Sequence, residues 1–519
     1  MKSSKQRQVG AFGGTLSLLV SVLFLSRGFS AVDARFLPDD TYYTLSIARN
    51  IFEGHGATMD GIISTSGFQP LIALFELPLF SILTQPEALT LGAVAISAIF
   101  GALAAALAGM LVLRETEVVW AGFLSGALIA LSPVISANAL NGLETSLAAA
   151  LLLWVLWLLQ GADRDSKMRD IVLIGLVAGF SILARIDSVL LLLPAGLWGL
   201  RQFGAARTAI VALVAAITVL PWVLYCMRFG SPVPESGAAV RQIVNFYITS
   251  GLRTLPEMNV PLIPTLGEFL VPRLPQIGIF AITGTLILAL AQFVRIRRMS
   301  LSAVLLLSSI SYIAFYAFYL PAFWFFDRYL NPVFIFCAIL LSIILAIRAE
   351  RVETCPLCRI VNTIAVIVLL IGPSVSIYLE LMDREPPRPD RGYTRQARDV
   401  LQRLPDGAVL AAMQSGALTW WASSPPYAHA GIRVVNLDGV VNRHAKDAIH
   451  NHRLAAYLQS IHATHFSDWP LNAYMLNTYA GQEAQSVLGD RIFQSPPYTG
   501  FDLYRIALTI ERGRSSLHE

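Results

Sequence analysis

Eleven runs of apolar residues dominate this chain, starting near Gly10, Ala88, Val118, Gly142, Ile171, Asp187, Arg207, Leu274, Leu301, Leu330 and Ile360. Each is long enough to cross a bilayer, which takes roughly 17 to 25 residues. Backbone in lipid must satisfy its own hydrogen bonds, so such runs fold as helices. Composition agrees. Charged residues make up 14% of the chain and apolar residues 55%, whereas a soluble chain carries roughly 25% charged residues. The sequence therefore predicts a polytopic α-helical membrane protein with about eleven transmembrane helices.

Charge fixes the expected orientation. The segment Leu71 to Leu83 is apolar but short, and it contains Glu76 and Pro78, so it reads as an interfacial or re-entrant helix. With that segment left uncounted, the clusters at Arg114, Arg164 to Arg169, Arg201 to Arg207, Arg295 to Arg298 and Arg348 to Arg359 all fall inside, as the positive-inside rule requires. The N-terminus is then cytoplasmic and the C-terminus outside. The run from Gly10 to Ser26 follows Lys2, Lys5 and Arg7 without a small-residue cleavage pattern, which fits an uncleaved first helix better than a signal peptide. The net charge of +4 is spread over short clusters, so no nucleic-acid surface is implied. Cys355 and Cys358 form a CPLC without a second pair, an incidental spacing rather than a zinc ribbon.

This topology divides the chain into a transmembrane unit, residues 1–381, with outer loops at 31–87 and 227–273, and a polar outer region, residues 382–519. Seven of the eight histidines fall in that second part, which has no spanning run and reads as a small soluble α/β domain. Strands are expected over Ala408 to Met413, Arg433 to Leu437 and Thr464 to Ser467, and a helix over Arg453 to Ile461. In the 227–273 loop an amphipathic helix is expected near Val240 to Leu252.

The same topology gathers several polar groups on the outer face. They are the pair Asp39 and Asp40, the NGLET turn with Glu144, the Arg185-Ile186-Asp187 turn, and Asp327-Arg328-Tyr329. Adjacent acids at the end of a span are costly to desolvate and mark a functional site by default. A carboxylate pair beside an arginine in a lipid-facing cleft suits glycosyl transfer from a lipid phosphate. A carboxylate takes the proton of an acceptor hydroxyl while the anomeric carbon passes through an oxocarbenium-like state. Arg328 offers a planar fork of donors for the phosphate; its plain alternative is a snorkelling residue paired with Asp327.

Together DDTYYTLSIARNIFEGHG, GFQPL, NGLET, ARID and DRYLNP resemble the GT-C superfamily of polyprenyl-phosphate-sugar-dependent glycosyltransferases, in its protein mannosyltransferase-like and bacterial arabinosyl- or mannosyltransferase-like branch. The resemblance covers the whole membrane region. It implies a multi-pass protein of the bacterial cytoplasmic membrane that transfers a sugar with inversion. The donor would be a polyprenyl-phosphate sugar, and the acceptor a hydroxyl of an envelope glycan, glycolipid or protein. It places the catalytic base, and a site for a divalent cation (Mg or Mn), at Asp39 and Asp40. The donor phosphate falls to Arg328 and Tyr329, and no nucleotide cofactor is implied. VVNLDGVVN, from Val434 to Asn442, resembles a downstream segment of a bacterial branch sharing the DD and GFQPL motifs.

Individual roles stay open between readings. Asp39 is favoured as base, with Asp40 alternatively capping a helix from Thr41 to Phe52. His55, in a Gly-His-Gly turn, contacts substrate or merely ends that helix. Gln69 binds a sugar hydroxyl or only meets the interface. Glu144, Arg185 and Asp187 bind substrate or satisfy one another. Trp420, Trp421, Tyr427 and Trp469 stack on sugars or pack a core. A transporter or flippase would need an internal repeat, and none is found; a non-catalytic scaffold would have lost the acids, which are present.

Overall fold

A computed structural model describes residues 2–249, 300–320, 322, 325–351, 356–383, 392–480, 487–495 and 500–507. Helices occupy ten of the eleven apolar runs: Lys2–Leu25, Pro86–Thr116, Val119–Leu131, Thr145–Gly161, Met168–Ala184, Val189–Phe203, Ala205–Met227, Leu301–Ala314, Asn331–Arg351 and Pro356–Met382. The run near Leu274 and the CPLC pairing lie outside the described residues. By length and composition alone, five helices among the described residues suffice to cross a membrane, or six if the bent pair Val119–Leu131 and Pro133–Ala139 is one span. The expected count of eleven thus relies on helices shorter than that standard, such as Thr145–Gly161. Leu71 to Leu83 becomes two short helices, Pro70–Glu76 and Leu79–Ile82. The expected amphipathic stretch is helical over Glu235–Thr249.

Small residues set how closely the spans pack. Gly109 and Gly122 face each other, and a Cβ on either would lie 2.9 Å from the other's carbonyl oxygen, so only glycine admits this approach of Pro86–Thr116 to Val119–Leu131. Van der Waals packing of this kind replaces the hydrophobic drive that lipid cannot supply. Asn331–Glu350 is largely enclosed, with 72% of its apolar window buried, whereas Ile360–Met382 has only 6% buried and faces the surroundings.

Beyond the last long helix lies a five-stranded sheet of order β2-β1-β3-β5-β4. The strands are β1 (Val409–Ala412), β2 (Arg433–Asn436), β3 (His465–Asp468), β4 (Leu488–Phe493) and β5 (Asp502–Ile506). β1 runs parallel to β2 and β3, while β5 is antiparallel to β3 and β4. One buried cluster joins Ala411, Leu437, Leu458, Phe466 and Leu476 of this region, with Phe246 from the Glu235–Thr249 helix; a second is shared with the membrane unit. Leu410, Trp420, Trp421 and Leu503 share one buried cluster with Phe24, Phe36, Tyr42, Leu45 and Val94 from the first third of the chain. Trp420 and Trp421 are fully buried there, so packing, not sugar stacking, accounts for both.

The two segments GFQPL and VVNLDGVVN meet directly. A Cβ on Gly67 would overlap the carbonyl oxygen of Val440, so this loop can approach the sheet only through glycine. Backbone on both sides leaves no flexible atom to give way. Gly67→Ala is expected to destabilise the protein by about 1–3 kcal/mol, the usual cost of overpacking, read as a lower melting temperature in detergent.

Candidate functional site

The Asp39–Phe52 helix starts after Pro38, whose extended backbone (φ −78°, ψ 164°) forms the N-cap. Asp39 and Asp40 therefore both lie in the first turn, where negative charge suits the helix dipole. This corrects the reading of Asp40 as the cap of a helix beginning at Thr41. Asp39 caps a different helix. Its carboxylate accepts hydrogen bonds from the Gly416 and Ala417 N–H groups, both at 2.8 Å, at the start of Gly416–Ala422, whose first amides would otherwise be orphaned. Burial pushes the Asp39 carboxyl up to about 7 against the pull of those two donors, with the charges of Asp40 and Asp438 adding to the rise.

Asp40 is the more open acid, with 32% of its side chain exposed, and it accepts a hydrogen bond from Arg328 Nη1 at 2.5 Å. Arg328 lies on the short Phe326–Tyr329 helix. Asn138 Nδ2 holds that helix by donating to the Asp327 carbonyl at 2.9 Å. The guanidinium sits 4.8 Å from the Phe325 ring centre and 5.4 Å from that of Tyr329. Its buried Nε has no hydrogen-bond partner, so the fork retains donor capacity beyond Asp40. Pairing with Asp327 is not what the geometry gives; Arg328 reaches across the chain to Asp40.

Behind this pair is a second, closed network. Arg185, in extended backbone at the end of Met168–Ala184, donates to Asp187 at 2.8 and 3.1 Å, to Glu144 at 2.9 Å and to Tyr316 at 3.3 Å. Tyr316 donates in turn to Asp187 and stacks on Tyr329 at 4.6 Å. Arg185 also lies 5.3 Å from the Tyr329 ring centre. Tyr316 sits in a π-helical turn, Phe315–Tyr319, a rare geometry found frequently at functional sites. Glu144, Arg185 and Asp187 thus satisfy one another, and through Tyr316 and Tyr329 they brace the ring beside Arg328. Thr41 Oγ1 donates to the Asn141 carbonyl at 2.6 Å, which ties NGLET to the acid pair.

Other expected residues lie elsewhere. His55 follows the far end of the 14-residue Asp39–Phe52 helix, about 20 Å along its axis from the acids. Its side chain is 55% exposed, with Nδ1 3.3 Å from Asn50 Oδ1 and 3.6 Å from Glu53. Gln69 is half-buried just before Pro70–Glu76, at the end of a loop whose Ser66 N–H donates to Glu235.

The hydrogen bonds that the acid pair already accepts compete with a divalent cation for its oxygens. Both oxygens of Asp39 are taken by amides and one of Asp40 by Arg328. Among the described residues no group of three or more His, Cys, Asp or Glu side chains could hold a metal ion.

A further acid reaches this place that sequence reasoning passed over. Asp438, in the loop after β2, is half-buried. Burial pushes its carboxyl up to about 7, and the charges of Asp40 and Asp468 contribute. The signal was an Asp-Gly immediately after a strand, inside a motif already singled out for its resemblance.

No family model and no curated protein matches the sequence. Solved structures do match. ArnT from Cupriavidus metallidurans in the apo state aligns over 95% of this chain and 96% of its own, with 16% identity and a TM-score of 0.55. The same protein bound to undecaprenyl phosphate aligns over the same shares at 15% identity and a TM-score of 0.55. At this identity the likeness concerns the fold. This is a multi-pass membrane protein whose fold is like that of these ArnT structures.

Proposed function

We propose that this protein is a membrane glycosyltransferase that moves a sugar from a polyprenyl-phosphate donor to an acceptor hydroxyl on the outer face of the membrane. The observation that carries this reading is the Asp40–Arg328 contact, a candidate base and a candidate phosphate ligand brought together from positions 288 residues apart. The GT-C-like fold supports it, and undecaprenyl phosphate, the ligand of one ArnT structure, is a polyprenyl phosphate.

Asp40 is assigned as base because it is accessible, whereas Asp39 has both oxygens occupied. The acceptor oxygen attacks the anomeric carbon as the bond from that carbon to the phosphate oxygen breaks. The bonding pair leaves on the polyprenyl phosphate, and the acceptor proton passes to the Asp40 carboxylate. Protonation removes the negative charge that held Arg328, so the guanidinium transfers its donors to the departing phosphate. One displacement inverts the anomeric centre. The leaving group is the lipid phosphate, so no nucleotide enters.

The test is sugar transfer by the purified protein in liposomes, from a panel of undecaprenyl-phosphate-linked pentoses and hexoses to envelope acceptors. Wild type is expected to transfer from at least one donor. Asp40→Asn is expected to lose at least about 100-fold in kcat, the lower range of general-base catalysis, while still binding undecaprenyl phosphate. Transfer undiminished in Asp40→Asn would remove the base assignment, and a wild type inert towards every donor would remove the enzyme.

A further inference from the structure

Among the described residues, Glu76 alone has both carboxyl oxygens buried without a hydrogen-bond partner. The residue is 0% exposed. It ends the short Pro70–Glu76 helix, whose buried residues are Ile72, Ala73 and Glu76, a spacing that puts all three on one face. Ile72 belongs to the core shared by the Pro86–Thr116, Thr145–Gly161 and Met168–Ala184 helices, so Glu76, one turn further on, points into that core as well. A carboxylate enclosed there with no donor is too costly to keep ionised, and such a group takes up a proton instead. The protonated carboxyl then carries a donor of its own, which needs an acceptor.

One turn of the Pro86–Thr116 helix locates that acceptor. Ser97 Oγ donates to the Leu143 carbonyl at 3.1 Å, and a Cβ on Gly101 would lie 3.6 Å from Ser146 Oγ. Between them in sequence, the Phe100 ring meets Phe75 edge-on with centres 5.1 Å apart. Residues three and four apart share a helix face. The residues flanking Glu144 and the residue before Glu76 therefore converge on the same turn, and Glu144 is the charged group that bears on Glu76. Glu144 Oε1 accepts from Arg185 Nη1 at 2.9 Å, while no donor among the described residues reaches Oε2.

Resting on the function proposed above, we infer that Glu76 is a positioning residue of the transfer reaction: as a neutral carboxylic acid it donates its hydrogen to Glu144 Oε2 and so holds that carboxylate in line with Arg185. Two carboxylates, Glu144 and Asp187, already face that one guanidinium, and a third ionised acid would meet no cation. A shared proton lets Glu76 and Glu144 touch without like-charge repulsion. A metal ion in its place would need further ligands, and among the described residues no group of three or more His, Cys, Asp or Glu side chains could hold one.

Glu76 touches no reacting atom. Its effect runs through Glu144 to Arg185, from Arg185 to Tyr316, and from Tyr316 to the Tyr329 ring beside Arg328. The geometry of the guanidinium, rather than its charge, is what this chain of contacts sets. Its loss is therefore read in turnover, which depends on orientation, more than in binding of the lipid phosphate.

The experiment uses the full-length protein in liposomes and has two arms. In infrared difference spectra at neutral pH, wild type minus Glu76→Gln is expected to show the carbonyl stretch of a protonated carboxylic acid, and the same difference taken in a Glu144→Gln background is expected to show that band displaced. In the transfer assay, with the donor that wild type accepts, Glu76→Leu is expected to lose about 10-fold or more in kcat, the weight of one hydrogen bond to a charged group. Binding of undecaprenyl phosphate by that variant stays within about 2-fold on the same scale. Glu76→Gln keeps a donor for Glu144 and is expected to recover most of the turnover. Absence of the band, a band that Glu144→Gln leaves unmoved, a Glu76→Leu variant as fast as wild type, or a Glu76→Gln variant no faster than Glu76→Leu would each overturn the inference while leaving the enzyme standing. If Glu76→Leu does not fold, the band and its displacement decide. A wild type inert towards every donor removes the enzyme and the positioning role with it, while the spectra still report whether the two acids share a proton.

Discussion

Arg328→Ala is expected to reduce transfer by about 1,000-fold or more, the scale set by arginines that stabilise a departing phosphoryl group, and to weaken binding of undecaprenyl phosphate in the same preparation. The argument starts from hydrogen-bond capacity. Asp40 engages only Nη1, and Nε is buried without a partner, so the guanidinium retains hydrogen-bond donors for a phosphate oxygen. The rings of Phe325 and Tyr329 hold the plane of the fork, which fixes where the phosphate must sit. Arg328→Lys keeps the charge and loses the planar fork, so it should recover binding more than turnover. Isothermal titration with undecaprenyl phosphate, alongside the transfer assay, separates the two. Binding that survives intact in Arg328→Ala would move the phosphate site elsewhere in the cleft.

The parts of this arrangement that depend on local pattern were legible before any coordinates. Apolar runs fix the helices because lipid leaves the backbone no alternative, and positive-inside counting led to the expectation that Asp40, Glu144, Arg185, Asp187 and Arg328 share a face. Their convergence is what the geometry gives. What stayed hidden depends on partners far along the chain. Nothing near Asp39 in sequence announces that it will cap amides 377 and 378 residues away, so the preference for Asp39 as base had no means of seeing that both its oxygens are occupied. The sequence around His55 gives no measure of its distance from the acids, which the Asp39–Phe52 helix sets at about 20 Å along its axis. β4 and β5 went unread because β4 has no buried residue and β5 is buried only at its first two, so neither shows the alternation of a half-buried strand. The last quarter of the chain read as a separate domain from its polarity, and its tryptophans also pack against Phe36 and Tyr42. Composition reports burial of a segment and is silent on which segment covers it.

That closed network behind the site makes the largest stability prediction. Arg185→Met is expected to cost about 3–5 kcal/mol, the usual penalty when one member of a buried ion network is removed. Glu144 and Asp187 would be left 8% and 6% exposed at the side chain with no cation between them. Melting in detergent, followed by size-exclusion fluorescence, reads the loss. A triple variant, Arg185→Met with Glu144→Gln and Asp187→Asn, removes the stranded charges and is expected to regain much of the stability, since apolar or neutral replacements of a whole buried network are often tolerated. Its transfer activity then decides what the network is for. If the triple variant folds but turns over poorly, Arg185 and Asp187 act by fixing Tyr316 against Tyr329, and so the ring that sets the plane of Arg328. If it folds and turns over as wild type does, the network serves packing alone, and the proposed chemistry rests on Asp40 and Arg328.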